Sequence, residues 1–309
     1  MTRRLRDAAV LVLKGFCMGA ADVVPGVSGG TMAFILGIYT RLIDAIKSFD
    51  TAWIAALLTA DLRTARARPH FAFVLPVGLG IIAAVIFFTH VVPIPKLLQT
   101  HPEHVYSLFF GLIIGSIFVL FVDIGPKSAA DGLQLLLGVF IGGVVVTAVP
   151  TQSPDSWWFV MGSGAIAICA MVLPGISGSF ILLILGKYAY ILDGIGNLKV
   201  AVIVPFAVGA AVGLMAFARL LSWLLHRFER PMLLVISGFL IASLWVIWPF
   251  QERRFVLVRE KQRLLESTPV APPWDGVLIE AVLLAAVGAA IVLIATRYAD
   301  RHRVARRWA

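Results

Sequence analysis

Val24 to Ile46 reads VPGVSGGTMAFILGIYTRLIDAI, and Leu173 to Ile195 reads LPGISGSFILLILGKYAYILDGI. At one constant offset Pro25/Pro174, Gly26/Gly175, Ser28/Ser177, Gly29/Gly178, Gly37/Gly186, Tyr39/Tyr188 and Asp44/Asp193 are identical, and most other positions exchange one apolar residue for another. Apolar sequence matches itself easily, but a shared Pro-Gly-x-Ser-Gly core with a matched distal Gly, Tyr and Asp is hard to obtain by chance, and reads as an internal repeat. Proline removes a backbone donor and clashes with the preceding helical turn, while clustered glycine weakens helix further. Each copy is therefore a break flanked by two apolar arms.

The rest of the chain identifies the solvent these breaks live in. Of its 309 residues 60% are hydrophobic and 14% charged, with mean hydropathy +0.94, against about a quarter charged in soluble domains. Several apolar runs reach the roughly 18 residues that cross hydrocarbon as a helix, and backbone in lipid must satisfy itself internally. No alternating strands of a membrane β-barrel are found. The fold class is an all-α polytopic membrane protein.

The repeat continues more faintly through Pro76-Val-Gly-Leu-Gly80 and Pro205-Phe-Ala-Val-Gly209, through Gly111 with Ser116 and Gly238 with Ser243, and through Asp131-Gly132 and Asp275-Gly276. The first repeat, 1–150, then holds a broken segment 8–47 and spans 71–92, 105–122 and 131–149. The second, 151–309, holds a broken segment 158–195 and spans 200–225, 232–249 and 276–297. Arg3, Arg4 and Arg6 precede the first broken segment, and Lys47, Arg63, Arg66 and Arg68 follow it. Of the two topologies open to it, one interrupted helix crossing once or a re-entrant hairpin returning to its starting side, the cytoplasmic reading of both flanks favours the hairpin. Three further crossings per half make the halves inverted repeats, with both termini cytoplasmic in a bacterial inner membrane. Arg227, Arg230 and the basic tail from Arg297 agree. The segment 250–274 dissents: expected outside, it carries Arg253, Arg254, Arg259, Lys261 and Arg263, for which an amphipathic surface helix is the one account available. No cleavable signal peptide is evident. The net charge of +9 is read as membrane orientation, not nucleic-acid binding.

At each turn a new helix begins whose first N–H groups lack intrahelical partners, and the positive end of its dipole points the same way. Pro25, Gly26, Ser28, Gly29, Gly30 and Thr31, with Pro174, Gly175, Ser177, Gly178 and Ser179, combine small residues and hydroxyls in the manner of an anion site for phosphate or carboxylate. Paired broken helices in inverted repeats also mark a transporter's binding site. The plain alternative is that Gly and Ser only let helices pack closely. Asp22, an acid within an apolar arm, is a candidate for proton coupling, with Glu280 a second. Lys14 and Arg41 are expected to flank the hairpin's open end, and Lys187 to stand nearer the second turn, each adding charge for an anionic headgroup; snorkelling to the interface is the alternative for Lys14 and Arg41. Tyr39 and Tyr188 are either belt or site residues.

No enzyme constellation emerges, and no cofactor or metal is expected. His101 and His104 have metal-compatible spacing but read as a surface pair. Cys17 and Cys169 read as buried free thiols. A transporter or channel for small anions or organic acids would use the same helix-end chemistry. An intramembrane phosphatase or transferase would need a nucleophile, base or metal that is not found.

At Met18-Gly-Ala-Ala-Asp22-Val-Val-Pro-Gly-Val-Ser-Gly-Gly-Thr31 with Gly37-Ile-Tyr39, and at Leu173-Pro-Gly-Ile-Ser-Gly-Ser179 with Gly186-Lys-Tyr188, the chain closely resembles the bacterial polyprenyl-phosphate transporter family, PopT, once catalogued as a domain of unknown function. The similarity covers nearly the whole chain. It implies a flippase that carries undecaprenyl phosphate, a phosphorylated polyprenyl lipid, from the outer to the inner leaflet for reuse in cell-wall synthesis.

Overall fold

The computed structural model describes residues 3–24, 26–92, 94–148, 151–258 and 261–307. The first half of the chain forms α1 (Arg3–Asp22), α2 (Gly29–Ile35), α3 (Tyr39–Lys47), α4 (Thr51–Leu58), α5 (Leu62–Ala67), α6 (Phe71–His90), α7 (Ile94–Thr100), α8 (Pro102–Ile124) and α9 (Ala129–Val146). The second forms α10 (Trp157–Val172), α11 (Gly178–Ile184), α12 (Tyr188–Gly196), α13 (Val200–Arg227), α14 (Glu229–Val246), the strands β1 (Gln251–Val258) and β2 (Lys261–Pro269), and α15 (Gly276–Arg307). Among the described residues α6, α8, α9, α13, α14 and α15 contain stretches long and apolar enough to cross a membrane, and they fall on the six spans expected from sequence. The chain is a nearly all-helical, multi-pass membrane protein.

The helices gather into two compact units, residues 1–92 with 148–229 and residues 93–147 with 230–309. Each unit takes matching pieces of both sequence repeats. The first holds the broken segments with α6 and α13; the second holds the other four spans. Within the first unit α1 packs on α6 and α10 on α13. Both contacts run through small residues: Gly15 and Gly19 lie against the backbone of Val77 and Ile81, and Gly209 and Gly213 against Met161 and Ala165. Lipid tails are as apolar as leucine, so helix association relies on such close backbone approach. In the second unit Gly111 and Gly115 of α8 meet Ala285 and Ala289 of α15, while Gly138 of α9 meets Val235 of α14. The pairing is reciprocal, second span of one repeat against third span of the other.

Two expectations are corrected. The arms that follow the Pro-Gly turns are not continuous to residues 47 and 195. Each is broken again, at Gly37 and Gly186, and α11 meets α12 at 111°. Gly37 and Gly186 have φ of +66° and +64°. The Gly37 N–H reaches the Phe34 carbonyl and the Ile38 N–H the Ala33 carbonyl, each at 3.0 Å, and Gly186 and Lys187 repeat this with Leu183 and Leu182 at 2.9 and 2.8 Å. This is the Schellman ending, which needs a residue in the left-handed region and so favours glycine. The 250–274 segment is also no helix. β1 and β2 pair antiparallel with a bulge between Arg254 and Phe255; Phe255, Val256 and Val258 favour extended chain, and strand pairing satisfies their backbone groups. Arg259 lies outside the described residues.

Gly186→Ala is expected to lower stability by more than the ~1–2 kcal/mol of left-handed backbone strain, because an added Cβ would also collide with the Thr151 carbonyl oxygen. Gly78→Ala, where an added Cβ meets nothing within 4 Å, should leave stability unchanged or slightly raised. Thermal unfolding midpoints in one detergent would compare them.

Candidate functional site

The first Pro-Gly turn is closed by its own side chains. Gly26 has φ +85°, a conformation in which glycine avoids the Cβ clash; Pro25 lies outside the described residues. Ser28 then caps α2, its Oγ accepting the Gly30 N–H at 3.1 Å. Asp22, at the end of α1, accepts the Gly29 N–H on Oδ1 at 2.7 Å. The Thr31 and Met32 N–H groups fall on the Ser28 carbonyl at 2.9 and 3.3 Å. The Gly29, Gly30 and Thr31 N–H groups, which a helix start leaves without i−4 partners, are thus occupied. The group on Gly29 is a side-chain carboxyl oxygen of the same chain. Because α2 packs back on α1, and α11 on α10, each break folds the chain back on itself.

The second turn has the same backbone and different side chains. Gly175 has φ +87°. Ser177 is the N-cap residue of α11 yet makes no capping bond; its hydroxyl instead meets that of Ser179 at 2.9 Å. Ser177 is half-buried and Ser179 exposed. The position that matches Asp22 is Met171, so this helix start carries no carboxylate.

The two breaks touch directly. Ser28 Oγ donates to the Met171 carbonyl at 3.1 Å, Tyr39 Oη donates to the Val172 carbonyl at 3.1 Å, and the Gly175 N–H donates to Thr31 Oγ1 at 2.8 Å. Gly30 is required here for space, since an added Cβ would stand 2.9 Å from the Val172 carbonyl oxygen. The interlock runs one way: first-repeat side chains serve second-repeat backbone. Tyr188 and Ser177, the counterparts of Tyr39 and Ser28, make no bond of this kind.

The basic residues proposed for the site have other partners. Lys14 Nζ donates to the Leu36 carbonyl at 2.7 Å, stitching α1 to the second break at the end of α2. The Arg41 guanidinium lies 4.5 Å from the Phe73 ring centre, a cation–π contact. Lys187 is 1% exposed. It donates to the Ser153 carbonyl at 2.7 Å and to Asp155, with the rings of Tyr190 and Phe159 within 5.2 and 5.6 Å. Its charge thereby straps the 151–155 segment across the α11–α12 bend, where the Thr151 N–H also reaches the Ile184 carbonyl at 2.9 Å. Glu280 sits in the second unit, 2.6 Å from His104 Nε2.

Several of these partnerships escaped sequence reasoning. Tyr39 is 3% exposed and joins the breaks, so it is a buried packing residue and not part of an exposed belt. Asp155 gave no signal, since its role depends on a lysine 32 positions away. The second breaks did leave a signal, the matched Gly37 and Gly186. At the end of α3, Asp44 accepts the Ser222 hydroxyl at 2.8 Å and Lys47 donates to the same hydroxyl at 3.2 Å, tying α3 to α13.

Thr31→Val keeps the shape of the side chain but leaves the buried Gly175 N–H unpaired, and is expected to cost about 1–3 kcal/mol. Thr31→Ser should retain most of that stability. Tyr39→Phe, which removes a donor and strands only one lone pair, should cost about 0.5–1.5 kcal/mol. Unfolding of the purified variants by denaturant would rank the three.

Comparison with known proteins places this geometry in a family. Residues 18–264 match the family described as undecaprenyl phosphate translocase-like. A polyprenyl-phosphate transporter of Vibrio cholerae is 36% identical over 304 residues, covering 94% of this chain and 96% of that protein. A polyprenyl-phosphate transporter of Staphylococcus aureus is 28% identical over 262 residues, covering 77% of this chain and 85% of that one. No solved structure matches. With both breaks inside the matched region, this chain belongs to the undecaprenyl phosphate translocase-like family, whose members are transporters and not enzymes.

Proposed function

We propose that this protein carries undecaprenyl phosphate across the bacterial cytoplasmic membrane, from the outer to the inner leaflet, so that the carrier lipid re-enters envelope synthesis. The observation that carries the proposal is the carboxylate of Asp22 on the Gly29 N–H, together with the absence of its counterpart at Met171. One Pro-Gly-x-Ser-Gly turn holds an oxyanion that belongs to the chain. The other presents the same backbone, two hydroxyls and no acid. In this reading the lipid phosphate takes at Gly178, Ser177 and Ser179 the place that the carboxylate takes at Gly29. The substrate named for both relatives is a polyprenyl phosphate, whose headgroup is such an oxyanion, and its prenyl chain would remain in the bilayer. Lys14, Arg41 and Lys187 act on the shape of the breaks, through the partners described above, and add positive potential from a distance.

Reciprocal packing of the spans and the matched glycines support reading the halves as inverted repeats that exchange roles during transport. Asp22 supplies a coupling element. Protonated, it is a weaker acceptor and releases the Gly29 N–H, so that opening of the first turn consumes a proton. Both termini are assigned to the cytoplasm on the placement of Lys and Arg.

The test is transport of a reporter-labelled undecaprenyl phosphate into proteoliposomes. Hydrogen bonds to a charged group contribute about 1.5–3 kcal/mol each, so Ser177→Ala with Ser179→Ala should slow transport at least tenfold while thermal unfolding stays unchanged. Normal transport by that pair would sink the assignment. Rapid flux of inorganic phosphate or a small organic acid would favour a small-anion transporter instead. Asp22→Asn should flatten the dependence of rate on a proton gradient, and an unaltered dependence would remove Asp22 from coupling.

A further inference from the structure

The stretch between α3 and α6 has no part in the transport reading. Asp193 follows Asp44 by 149 positions, whereas Pro205 follows Pro76 by 129, so the first repeat carries 20 residues without a counterpart in the second. They fold as α4 and α5, and the fold is well tied. Asp50 caps α4 by accepting the Trp53 N–H at 2.9 Å, and Asp61 caps α5 by accepting the Thr64 N–H at 3.1 Å. Arg68 then grips Asp50 with two hydrogen bonds of 3.1 and 2.8 Å. Trp53 Nε1–H donates to the Ala65 carbonyl at 3.1 Å. Phe49 packs edge-on against Trp53 and Phe71, fastening the element between the end of α3 and the start of α6. The Arg68 guanidinium, with the Trp53 N–H, holds the Asp50 carboxyl below the usual carboxylate range, so the clamp stays ionised at neutral pH.

This firmly built element turns its apolar side chains outward. Ile54, Leu57, Leu58 and Leu62 are 38%, 48%, 84% and 61% exposed, and Arg63 and Arg66 beside them are exposed as well. Residues 54, 57 and 58 share one helix face by their spacing. The next residues of the chain, from Phe71, begin a helix that can cross the membrane. Connectivity therefore holds α4 and α5 at the mouth of a span, where an apolar face edged with arginine suits the boundary between headgroups and acyl chains. We propose that α4 and α5 dock onto an anionic bilayer surface, Ile54, Leu57, Leu58 and Leu62 entering the acyl boundary and Arg63 and Arg66 meeting lipid phosphates. The proposal rests on the membrane-crossing helices and not on the substrate or the direction of transport.

The full chain, with Cys17→Ala and Cys169→Ala and a fluorophore on Leu58→Cys, would be placed in nanodiscs of zwitterionic lipid with and without phosphatidylglycerol. In anionic discs the fluorophore should be quenched by lipids spin-labelled near the headgroup and shielded from aqueous iodide. Each basic residue at such a surface strengthens attachment about fivefold, so Arg63→Gln with Arg66→Gln should return iodide access to that of zwitterionic discs. Arg68 is left in place, because it belongs to the clamp. Equal iodide quenching in every disc, shielding indifferent to lipid charge, or shielding traced to disulfide-linked dimers through Leu58→Cys would each overturn the proposal.

Discussion

Backbone that leaves the helix inside a membrane has no water to turn to, and every freed N–H and C=O must find a partner in the protein. The two Pro-Gly turns meet that demand by using each other. Thr31 takes the Gly175 N–H, while Ser28 and Tyr39 serve the carbonyls of Met171 and Val172. Remove the contact between the breaks, and a row of buried polar groups is stranded at once. The close approach of Gly30 to Val172 and the burial of Tyr39 both follow from bringing two irregular segments together.

The contact between the breaks is unequal. Nearly identical backbones carry Asp22 on one side and Met171 on the other, so one helix start is neutralised internally and the other is not. On that other side the hydroxyls of Ser177 and Ser179 face each other and leave the helix start without a side-chain cap. The buried lysine follows a separate logic: Lys187 is stabilised by Asp155 and two aromatic rings, and its work is to hold a strap across a sharp bend.

Much of this was legible in the chain. The six spans were, because membrane thickness imposes a length that hydropathy reports directly. So were the two turns, because proline and glycine disrupt helix wherever they stand. Gly37 and Gly186 were visible as matched residues, yet their meaning needed the Schellman bonds that only the folded segment makes. The basic segment 250–274 misled, since charge and apolar content do not distinguish a short helix from a strand pair when the pairing partner is the deciding term.

Composition, periodicity and repetition thus determined by themselves that this is a helical membrane protein with two proline-glycine breaks, since each depends on local chain properties. Tertiary structure decided what those breaks do to one another. The bonding of Thr31 to Gly175, the engagement of Lys14, Arg41 and Lys187 away from the turns, and the capture of Gly29 by Asp22 depend on distances between segments 7 to 144 residues apart. Such distances arise from packing, in which glycine-mediated helix contacts and backbone satisfaction in lipid choose one arrangement among many that the same apolar pattern permits.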